Sequence, residues 1–249
     1  MYAVRFHGRG GQGAKTASRI LGTAAFLSGY QAQDSPIYGA ERRGAPVAAF
    51  TRFGREPIRE RGVIAHPDLV VVADASLLED PAARVSDGIT EQTILFINSP
   101  LHAEQIRAPS ALCGRITTLG VTEIALQHFG QREAISALLG AVAARLSGLQ
   151  QEPLRQAIEQ ELGNLGVAPP IIERNQTVAL TCYESVQVME RESVAESATI
   201  ATTFHIPVYE SPSRGTARIS ATGNSVLRET GGWRTFRPVL VADKCNGCW

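Results

Sequence analysis

The segment His7-Gly8-Arg9-Gly10-Gly11-Gln12-Gly13-Ala14-Lys15-Thr16 forms the first connection between a strand and a helix in this chain. Residues 2–6 alternate as a short strand does, and residues 16–22 are typical of the start of a helix. Glycines at such a connection let the backbone turn sharply and let a ligand or a partner approach its N–H groups. The N-terminus of the following helix carries about half a positive charge and favours an anion.

Three interpretations of this glycine segment stay open on the segment alone. The first is a dinucleotide site, since Gly8–Gly13 fits G-x-G-x-x-G and Asp34 lies about 20 residues further on, although the strand before Asp34 is polar. The second is a phosphate loop of the Walker A type, but Ala14 separates Gly13 from Lys15 and moves the lysine out of register. The third is a turn that only packs a helix against a strand.

Hydrophobic patterning predicts alternating strands and helices, which is typical of one α/β domain of about 190 residues. Strands are expected at about 2–7, 30–34, 46–53, 68–73, 92–98 and 115–119, with a hairpin that continues from the turn at Gly54 through Glu56-Pro57-Ile58. Helices are expected at about 13–28, 75–79, 121–129, 131–147, 151–163 and 170–190. The unbroken apolar run at 69–73 suits a parallel strand that is covered on both faces.

Composition limits the location and the partners. The 24 Lys and Arg residues balance the 24 Asp and Glu residues, so no net field attracts nucleic acid or an acidic membrane. The sequence shows neither a signal peptide nor a long apolar run, and we expect a cytoplasmic protein with no membrane span. The four cysteines do not form a disulfide framework, and Cys113 and Cys182 are expected to be buried thiols.

Catalytic constellations are missing from the sequence. The five histidines are scattered, and none lies with Cys or carboxylates at metal-ligand spacing. Neither a G-x-S-x-G nucleophile elbow nor an H-E-x-x-H zinc motif occurs. His7, directly before the glycines, is expected to be a core histidine. The sequence therefore predicts no catalytic residue in this chain.

A second motif, Tyr38-Gly39-Ala40-Glu41-Arg42-Arg43-Gly44-Ala45-Pro46, follows the second predicted strand. Its two glycines and its proline indicate a shaped loop whose arginines pair with carboxylates or phosphates across a surface. Together with the glycine segment, in this order and at this separation, the motif resembles the gamma subunit family of 2-oxoacid:ferredoxin oxidoreductases. The resemblance covers about residues 2–190, with further matches at Pro57-Ile58-Arg59, Pro67-Asp68-Leu69-Val70-Val71-Val72 and Arg174-Asn175-Gln176-Thr177-Val178-Ala179-Leu180.

The resemblance implies a Rossmann-like, mostly parallel sheet flanked by helices in residues 1–190, acting as a non-catalytic subunit. In the family, thiamine diphosphate and Mg²⁺ lie in the alpha and beta subunits, where the 2-oxoacid loses carbon dioxide. Electrons pass through [4Fe–4S] clusters to ferredoxin or another acceptor, and the acyl group goes to coenzyme A. The substrate stays open between pyruvate and others, including aromatic acids such as phenylglyoxylate. The alternatives are a free-standing NAD-dependent dehydrogenase and a small P-loop ATPase.

Two groups of residues carry the contacts that the resemblance implies. The glycine segment contributes to the interface with the alpha and beta subunits and to the surroundings of coenzyme A, through Gly8, Arg9, Gly10, Gly11, Gln12, Gly13, Lys15 and Thr16. The second motif contributes interface residues, namely Tyr38, Glu41, Arg42 and Arg43.

The C-terminal part differs from the predicted α/β domain. Residues 191–232 are rich in Ser and Thr and are expected to form an extended arm that wraps a partner. Residues 233–249 resemble the start of the delta subunit of the same enzymes, a ferredoxin with two [4Fe–4S] clusters that some members carry fused behind gamma. Cys245 and Cys248 have the spacing of the first two thiolates in C-x2-C-x2-C-x3-C-P. We therefore expect the N-terminal part of a longer gamma–delta fusion.

Overall fold

The computed structural model describes residues 1–36, 44–110, 112–130 and 135–188. The strands in these residues are β1 (Tyr2–Arg9), β2 (Gln31–Pro36), β3 (Pro46–Gly54), β4 (Leu69–Val72), β5 (Ile94–Asn98) and β6 (Arg115–Leu119). The helices are α1 (Ala14–Leu27), α2 (Ala103–Ser110), α3 (Val121–Phe129), α4 (Ser136–Leu146), α5 (Gln151–Asn164) and α6 (Pro169–Ser185), with short 3₁₀ helices at Ala75–Leu78 and Pro81–Ala83. None of these described helices has the length and hydropathy that a bilayer span requires.

The six described strands form one sheet in the order β2-β3-β1-β4-β5-β6. The neighbours β1, β4, β5 and β6 are parallel, whereas β3 is antiparallel to both β1 and β2. Within the described sheet, β3 is therefore the strand that runs against the others. The predicted α/β class with a mostly parallel sheet is confirmed. Every residue of β4 and β5 is buried, as their apolar runs predicted.

Helices cover both faces of the parallel half of the sheet. On one face, α1, α4, α5 and α6 share a core with Val4 and Phe6 of β1. On the other face, Ile106 of α2 packs in a separate core with residues of β4 and β5. The helices α1 and α4 approach closely at Gly140, where a Cβ atom would lie 2.9 Å from Cγ2 of Ile20. This close approach fixes α4 beside α1 and so beside the glycine segment.

Several elements differ from their predicted bounds, each for a local reason. Residues 55–58 do not continue a hairpin, because β3 already pairs with β1 on one edge and with β2 on the other, and Pro57 has no N–H to donate. The helix α2 was not predicted, since its sequence is largely polar and contains a proline. The described part of the helix predicted at 131–147 is α4. The helix predicted at 170–190 ends at Ser185, because the backbone of Val186 is extended.

The two cysteines in the described part of the chain differ in their surroundings. Cys182 is buried in α6, as predicted, and burial raises the pKa of its thiol to about 12. The prediction for Cys113 was wrong, because this side chain is exposed. It lies just before β6, where its Sγ donates to the carbonyl oxygen of Ile89 at 3.3 Å.

Candidate functional site

The glycine segment lies where an open α/β sheet ordinarily binds its ligands. It follows β1 and precedes α1 at the carboxyl ends of the parallel strands. In the sheet, β1 has β3 as its neighbour on one side and β4 on the other, so the strand order changes direction at β1. A crevice of about 380 Å³ opens beside it. Its polar lining comes from the last residue of β5 and from the segments that follow β1, β4, β5 and β6, namely Gln12, Asp74, Asn98, Ser99, Thr122 and Glu123.

Backbone N–H groups of the glycine segment bind the protein itself. The Arg9 N–H donates to Oε1 of Gln12 at 2.7 Å, and the Gln12 N–H donates to the Arg9 carbonyl at 2.9 Å. The Gly10 N–H donates to the Ala45 carbonyl at 2.9 Å and so ties the segment to the residues before β3. A phosphate cradle needs such N–H groups directed at the ligand. Because the Arg9, Gly10 and Gln12 N–H groups are already engaged, these three groups do not form a cradle for a pyrophosphate.

The glycines of the segment serve two purposes. Gly11 and Gly13 have φ angles of 98° and 76°, a conformation that other residues adopt only with strain. Gly13 also lies against α4, since a Cβ atom there would be 2.7 Å from Cβ of Ser136. Gly8 packs tightly too, because its Cβ would lie 3.0 Å from Cβ of Ala14. By contrast, Gly11 is exposed and has nothing within 4 Å of that position, so the segment is a packed turn with an exposed tip.

Asp74 brings a negative charge to the crevice beside the glycine segment. Its carboxylate accepts from Nε2 of Gln12 at 2.9 Å and from the Ser76 N–H at 3.0 Å, and Nε of Arg9 lies 3.5 Å away. Burial alone would raise the pKa of Asp74, but these hydrogen bonds and the charge of Arg9 hold it below its usual value. Asp74 is therefore anionic at neutral pH. With Glu123 in the same crevice, an incoming phosphate would meet like charge.

Asp34 does not lie near the glycine segment. It is in β2 opposite Thr51 of β3, and β3 separates β2 from β1. Its Cβ lies 3.8 Å from the position of a Cβ on Gly22, which is about 12 Å along α1 from Ala14. The ribose-binding acid of a dinucleotide site has to stand close to the glycines. Asp34 is too far along the helix to serve in that role.

Lys15 and Thr16 lie in the first turn of α1, where Lys15 is exposed and Thr16 is half-buried. The phosphate-loop interpretation would place the lysine beside the phosphates and an aspartate on Mg²⁺. Lys15 does not line the crevice, and Asp74 is hydrogen-bonded to Gln12 and Ser76 instead. The geometry therefore gives the phosphate-loop interpretation no support.

Several predicted site residues lie outside the described part of the chain. These are Tyr38, Glu41, Arg42 and Arg43 of the second motif, and Cys245 and Cys248 near the C-terminus. The arm predicted at 191–232 and the ferredoxin start at 233–249 lie outside it too. Within the described ranges, no group of three or more His, Cys, Asp or Glu residues has the arrangement to hold a metal ion.

The contacts that shape this site leave little signal in the sequence. Nδ2 of Asn98 donates to the Ala73 carbonyl and to Oγ1 of Thr122, each at 2.8 Å, and joins the ends of β4 and β5 to α3. A polar residue at the end of a buried apolar strand was the available signal for Asn98. Nothing local connects Ser136 with Gly13, so their contact could not be anticipated. These contacts leave Asn98 and Thr122 in the crevice wall paired with each other.

The fold and the site together define a Rossmann-like α/β domain in which the glycine turn packs helices and strands. A sequence model of the pyruvate ferredoxin/flavodoxin oxidoreductase family matches residues 3–185. The chain is 40% identical over 196 residues to the common gamma subunit of the pyruvate/ketoisovalerate oxidoreductases of Pyrococcus furiosus, an alignment that covers 76% of this chain and 100% of that protein. It is 37% identical over 189 residues to the pyruvate synthase subunit PorC of Thermotoga maritima, covering 76% and 96%.

A solved structure agrees with these sequence matches. The crystal structure of the pyruvate oxidoreductase subunit PORC from Thermotoga maritima matches with a TM-score of 0.63 at 34% identity, over 75% of this chain and 97% of that one. The chain belongs to the pyruvate ferredoxin/flavodoxin oxidoreductase family. Within the family it is a gamma subunit of a 2-oxoacid:ferredoxin oxidoreductase, and so a subunit of an oxidoreductase complex. Membership confirms the resemblance and favours the subunit over a free-standing NAD-dependent dehydrogenase.

We expect NAD, NADP and ATP not to stabilise this chain against thermal unfolding, because three N–H groups of the glycine segment are engaged and Asp34 is remote. A working dinucleotide site would raise the free energy of unfolding by about 2.7 kcal/mol at about a hundred times the dissociation constant. Thermal melts of the full chain with and without each nucleotide measure this. Micromolar NAD binding in a calorimeter, abolished by Gly10→Val, would contradict the expectation.

Proposed function

We propose that this chain is the gamma part of a gamma–delta subunit in a complex that oxidatively decarboxylates a 2-oxoacid to its acyl-coenzyme A. The observation that carries the proposal is 40% identity over the whole length of a gamma subunit named for pyruvate and ketoisovalerate oxidoreductases. Short aliphatic 2-oxoacids are therefore the substrates that we propose, ahead of aromatic acids such as phenylglyoxylate. The location that we propose is the cytoplasm.

Thiamine diphosphate and Mg²⁺ belong to the alpha and beta subunits in this proposal. The described part of this chain fits neither, since no cluster in it is suited to a metal ion. The crevice beside the glycine segment also carries Asp74 and Glu123, which disfavour a diphosphate. When bound, thiamine diphosphate supplies the carbon nucleophile, a chemistry that is the cofactor's own. This chain contributes a rigid surface that holds its partners in position.

The glycine segment holds an exposed edge of the domain in a fixed position for the alpha and beta subunits. Gln12 fastens the segment to Asp74 after β4, and the Gly10 N–H fastens it to Ala45 before β3. Gly11 at the tip and Lys15 in the first turn of α1 are exposed. A helix N-terminus favours anionic groups, so this outer edge suits the phosphates of coenzyme A at the subunit interface.

The C-terminal end of the second motif contacts the glycine segment at the same exposed edge. The Gly44 N–H donates to the Gly10 carbonyl at 3.2 Å, and Nη1 of Arg9 donates to the Gly44 carbonyl at 3.3 Å. The C-terminal end of the motif is thus attached to the glycine segment. For this reason we place the rest of the motif at the same interface, with Tyr38, Glu41, Arg42 and Arg43 as its contact residues.

In our proposal, Cys245 and Cys248 are the first two ligands of a [4Fe–4S] cluster in a ferredoxin-type delta domain. This domain passes electrons to ferredoxin or another acceptor. A natural chain that continues past Trp249 with more cysteines should be brown and should lose iron on Cys245→Ser with Cys248→Ser, whereas Cys113→Ser should leave its iron content unchanged. The 249-residue chain should bind iron poorly, because two thiolates do not complete a cluster. Iron and sulfide assays decide this, and an unchanged iron content in the double variant would refute the assignment.

Co-expression of the full chain with thiamine-diphosphate-binding alpha and beta subunits from the same organism tests the proposed function. We expect the three chains to co-purify in equal amounts and to elute together in size-exclusion chromatography. A chain that elutes alone, with alpha and beta forming a complete assembly without it, would overturn the proposal.

A further inference from the structure

The side chain of Arg9 connects the glycine segment to two segments that are distant in the sequence. Its Nη1 donates to the Gly44 carbonyl at 3.3 Å and its Nη2 donates to Oγ of Ser76 at 2.8 Å, partners that lie 35 and 67 residues away. Its Nε lies 3.5 Å from a carboxylate oxygen of Asp74, and its Nη1 lies 3.7 Å from one of Asp80. Each of the three guanidinium nitrogens therefore has a partner within the protein.

The two carboxylates that face Arg9 belong to residues 74–80, which we call the acidic turn. The backbone holds both of them in place. Asp74 accepts from the Ser76 N–H at 3.0 Å and Asp80 accepts from the Ala82 N–H at 3.0 Å, so each carboxylate caps the start of a short 3₁₀ helix. Since both acceptors are fixed and the guanidinium is planar, little further freedom is lost when Arg9 binds them.

The ion pair between Arg84 and Asp87 offers a contrast within the same molecule. Its partners are three residues apart and their side chains are 78% and 54% exposed, whereas the Arg9 side chain is 28% exposed. Exposed pairs of this local kind contribute little to stability, because water and salt screen them. Arg9 instead binds groups of two other segments from a half-buried position and so fixes how these segments lie relative to each other.

The C-terminal end of the second motif meets the sheet at the position of Arg9. The pairing of β1 with β3 ends where Arg9 lies opposite Pro46. Beyond that pair, residues 44–45 are held by two backbone hydrogen bonds with Gly10, at 3.2 and 2.9 Å, and by the Arg9 side chain. The acidic turn follows β4, which lies on the other side of β1 from β3. Arg9 therefore connects the end of the second motif to the acidic turn across β1.

We propose that Arg9 is a positioning residue of the subunit interface. By holding the Gly44 carbonyl beside the acidic turn, Arg9 fixes where the second motif meets the sheet, and so sets the contacts of this motif with the alpha and beta subunits. Arg9 acts through the second motif and not by touching coenzyme A, because its guanidinium nitrogens are engaged within the chain. This inference rests on the proposed function and gives Arg9 a different role from the coenzyme A contact that the family resemblance implies.

Assembly of the full 249-residue chain with the alpha and beta subunits, measured by co-purification at a series of concentrations, tests this role. We expect Arg9→Gln to weaken assembly at least about fivefold, because a neutral amide cannot bind two carboxylates, Ser76 and Gly44 together. Arg55→Gln is the control, since Arg55 is exposed and its replacement changes the net charge equally, and it should assemble as the parent chain does. A folded Arg9→Gln chain that assembles as the parent does would overturn the inference.

The double variant Arg42→Ala with Arg43→Ala distinguishes a positioning role from a direct contact. If Arg9 acts through the second motif, Arg9→Gln should add less than about twofold to the loss that this double variant already shows. A direct contact between Arg9 and a partner subunit would instead add its full loss, at least about fivefold, to that of the double variant. That additive result would overturn the inference.

The dye-reduction rate of the reconstituted complex gives a readout that a loss of stability alone would not change. Arg9→Gln should raise the chain concentration for half-maximal activity at least about fivefold, while the maximal rate and the KM for coenzyme A stay at the values of the parent complex. A lower maximal rate or a higher KM for coenzyme A, measured at a saturating concentration of the chain, would place Arg9 at the reacting groups and would overturn the inference.

Arg9→Lys serves if Arg9→Gln fails to fold. The ammonium keeps a positive charge beside the acidic turn but lacks the planar fork that reaches Ser76 and Gly44 at once, so assembly should still weaken several-fold. A folded Arg9→Lys chain that assembles as the parent does would overturn the inference. If the parent chain itself fails to assemble, the proposed function is overturned and this inference with it, whereas normal assembly of the parent beside an unaffected Arg9 variant overturns this inference alone.

Discussion

Replacing Gly13 with alanine is expected to lower the free energy of unfolding by about 2–5 kcal/mol. The left-handed backbone costs a residue with a Cβ about 1–2 kcal/mol, and Gly13 has a φ of 76°. Forcing a methyl group into filled space costs about 1–3 kcal/mol more, and the new Cβ would lie 2.7 Å from Cβ of Ser136 and 3.4 Å from its Cα. Urea denaturation measures the loss, which also lowers the melting temperature by roughly 2–4 °C per kcal/mol.

Gly11→Ala is the matched control for this substitution. Gly11 has a φ of 98° but nothing within 4 Å of its Cβ position, so only the backbone cost of about 1–2 kcal/mol applies. Adding Ser136→Gly to the Gly13→Ala chain removes the opposing Cβ, and the two substitutions should therefore couple favourably in a double-mutant cycle. Equal losses at Gly11 and Gly13, with no coupling to Ser136, would contradict the packing role of the segment.

Replacing both Arg42 and Arg43 with alanine is expected to weaken assembly with the alpha and beta subunits by at least about 3–5 kcal/mol, the usual cost of truncating one buried charge pair, which is a factor of roughly a hundred or more in the dissociation constant. The expected size follows from our placement of both arginines at the interface, where each is buried against an acidic group. That placement rests on the hydrogen bond between Gly44 and Gly10, which attaches the end of the motif to the exposed edge. Quantitative co-purification at a series of concentrations measures the change.

Arg55→Ala with Arg59→Ala is the control pair for the assembly measurement. Both arginines are exposed, and their removal changes the net charge by the same amount as removal of Arg42 and Arg43. Exposed charges contribute well under about 1 kcal/mol, so this control should assemble as the parent chain does. Thermal melts should be alike for both double variants. Unchanged co-purification of the Arg42 and Arg43 variant would refute the interface.

The parallel half of the sheet could be predicted because buried strands leave a local signal. The apolar runs located β4 and β5 within about two residues, and β6 and α3 have the predicted bounds. The place of β3 between β1 and β2 depends on pairings such as Tyr2 with Phe53, which no local pattern contains. That order counts against the dinucleotide interpretation, because β3 lies between β1 and the strand that contains Asp34.

The sequence could predict where the glycine turn lies, but not whether its N–H groups are directed at a ligand. The glycine pattern gives a turn at the end of β1, and the turn is there. Whether its N–H groups face a ligand is decided by the Gln12 side chain and the Ala45 carbonyl, and Ser136 closes the segment from α4.

Reconstitution of 2-oxoacid oxidation from separately purified alpha and beta subunits gives the most direct test that this chain acts only as a subunit. Coenzyme-A-dependent reduction of a viologen dye by pyruvate or ketoisovalerate is followed with and without the chain, and with the chain alone. We expect activity when all subunits are present and none from the isolated chain, because in our proposal the alpha and beta subunits bind thiamine diphosphate, which supplies the carbon nucleophile. Dye reduction by the isolated chain, or an unchanged rate from alpha and beta without it, would contradict this view of the molecule.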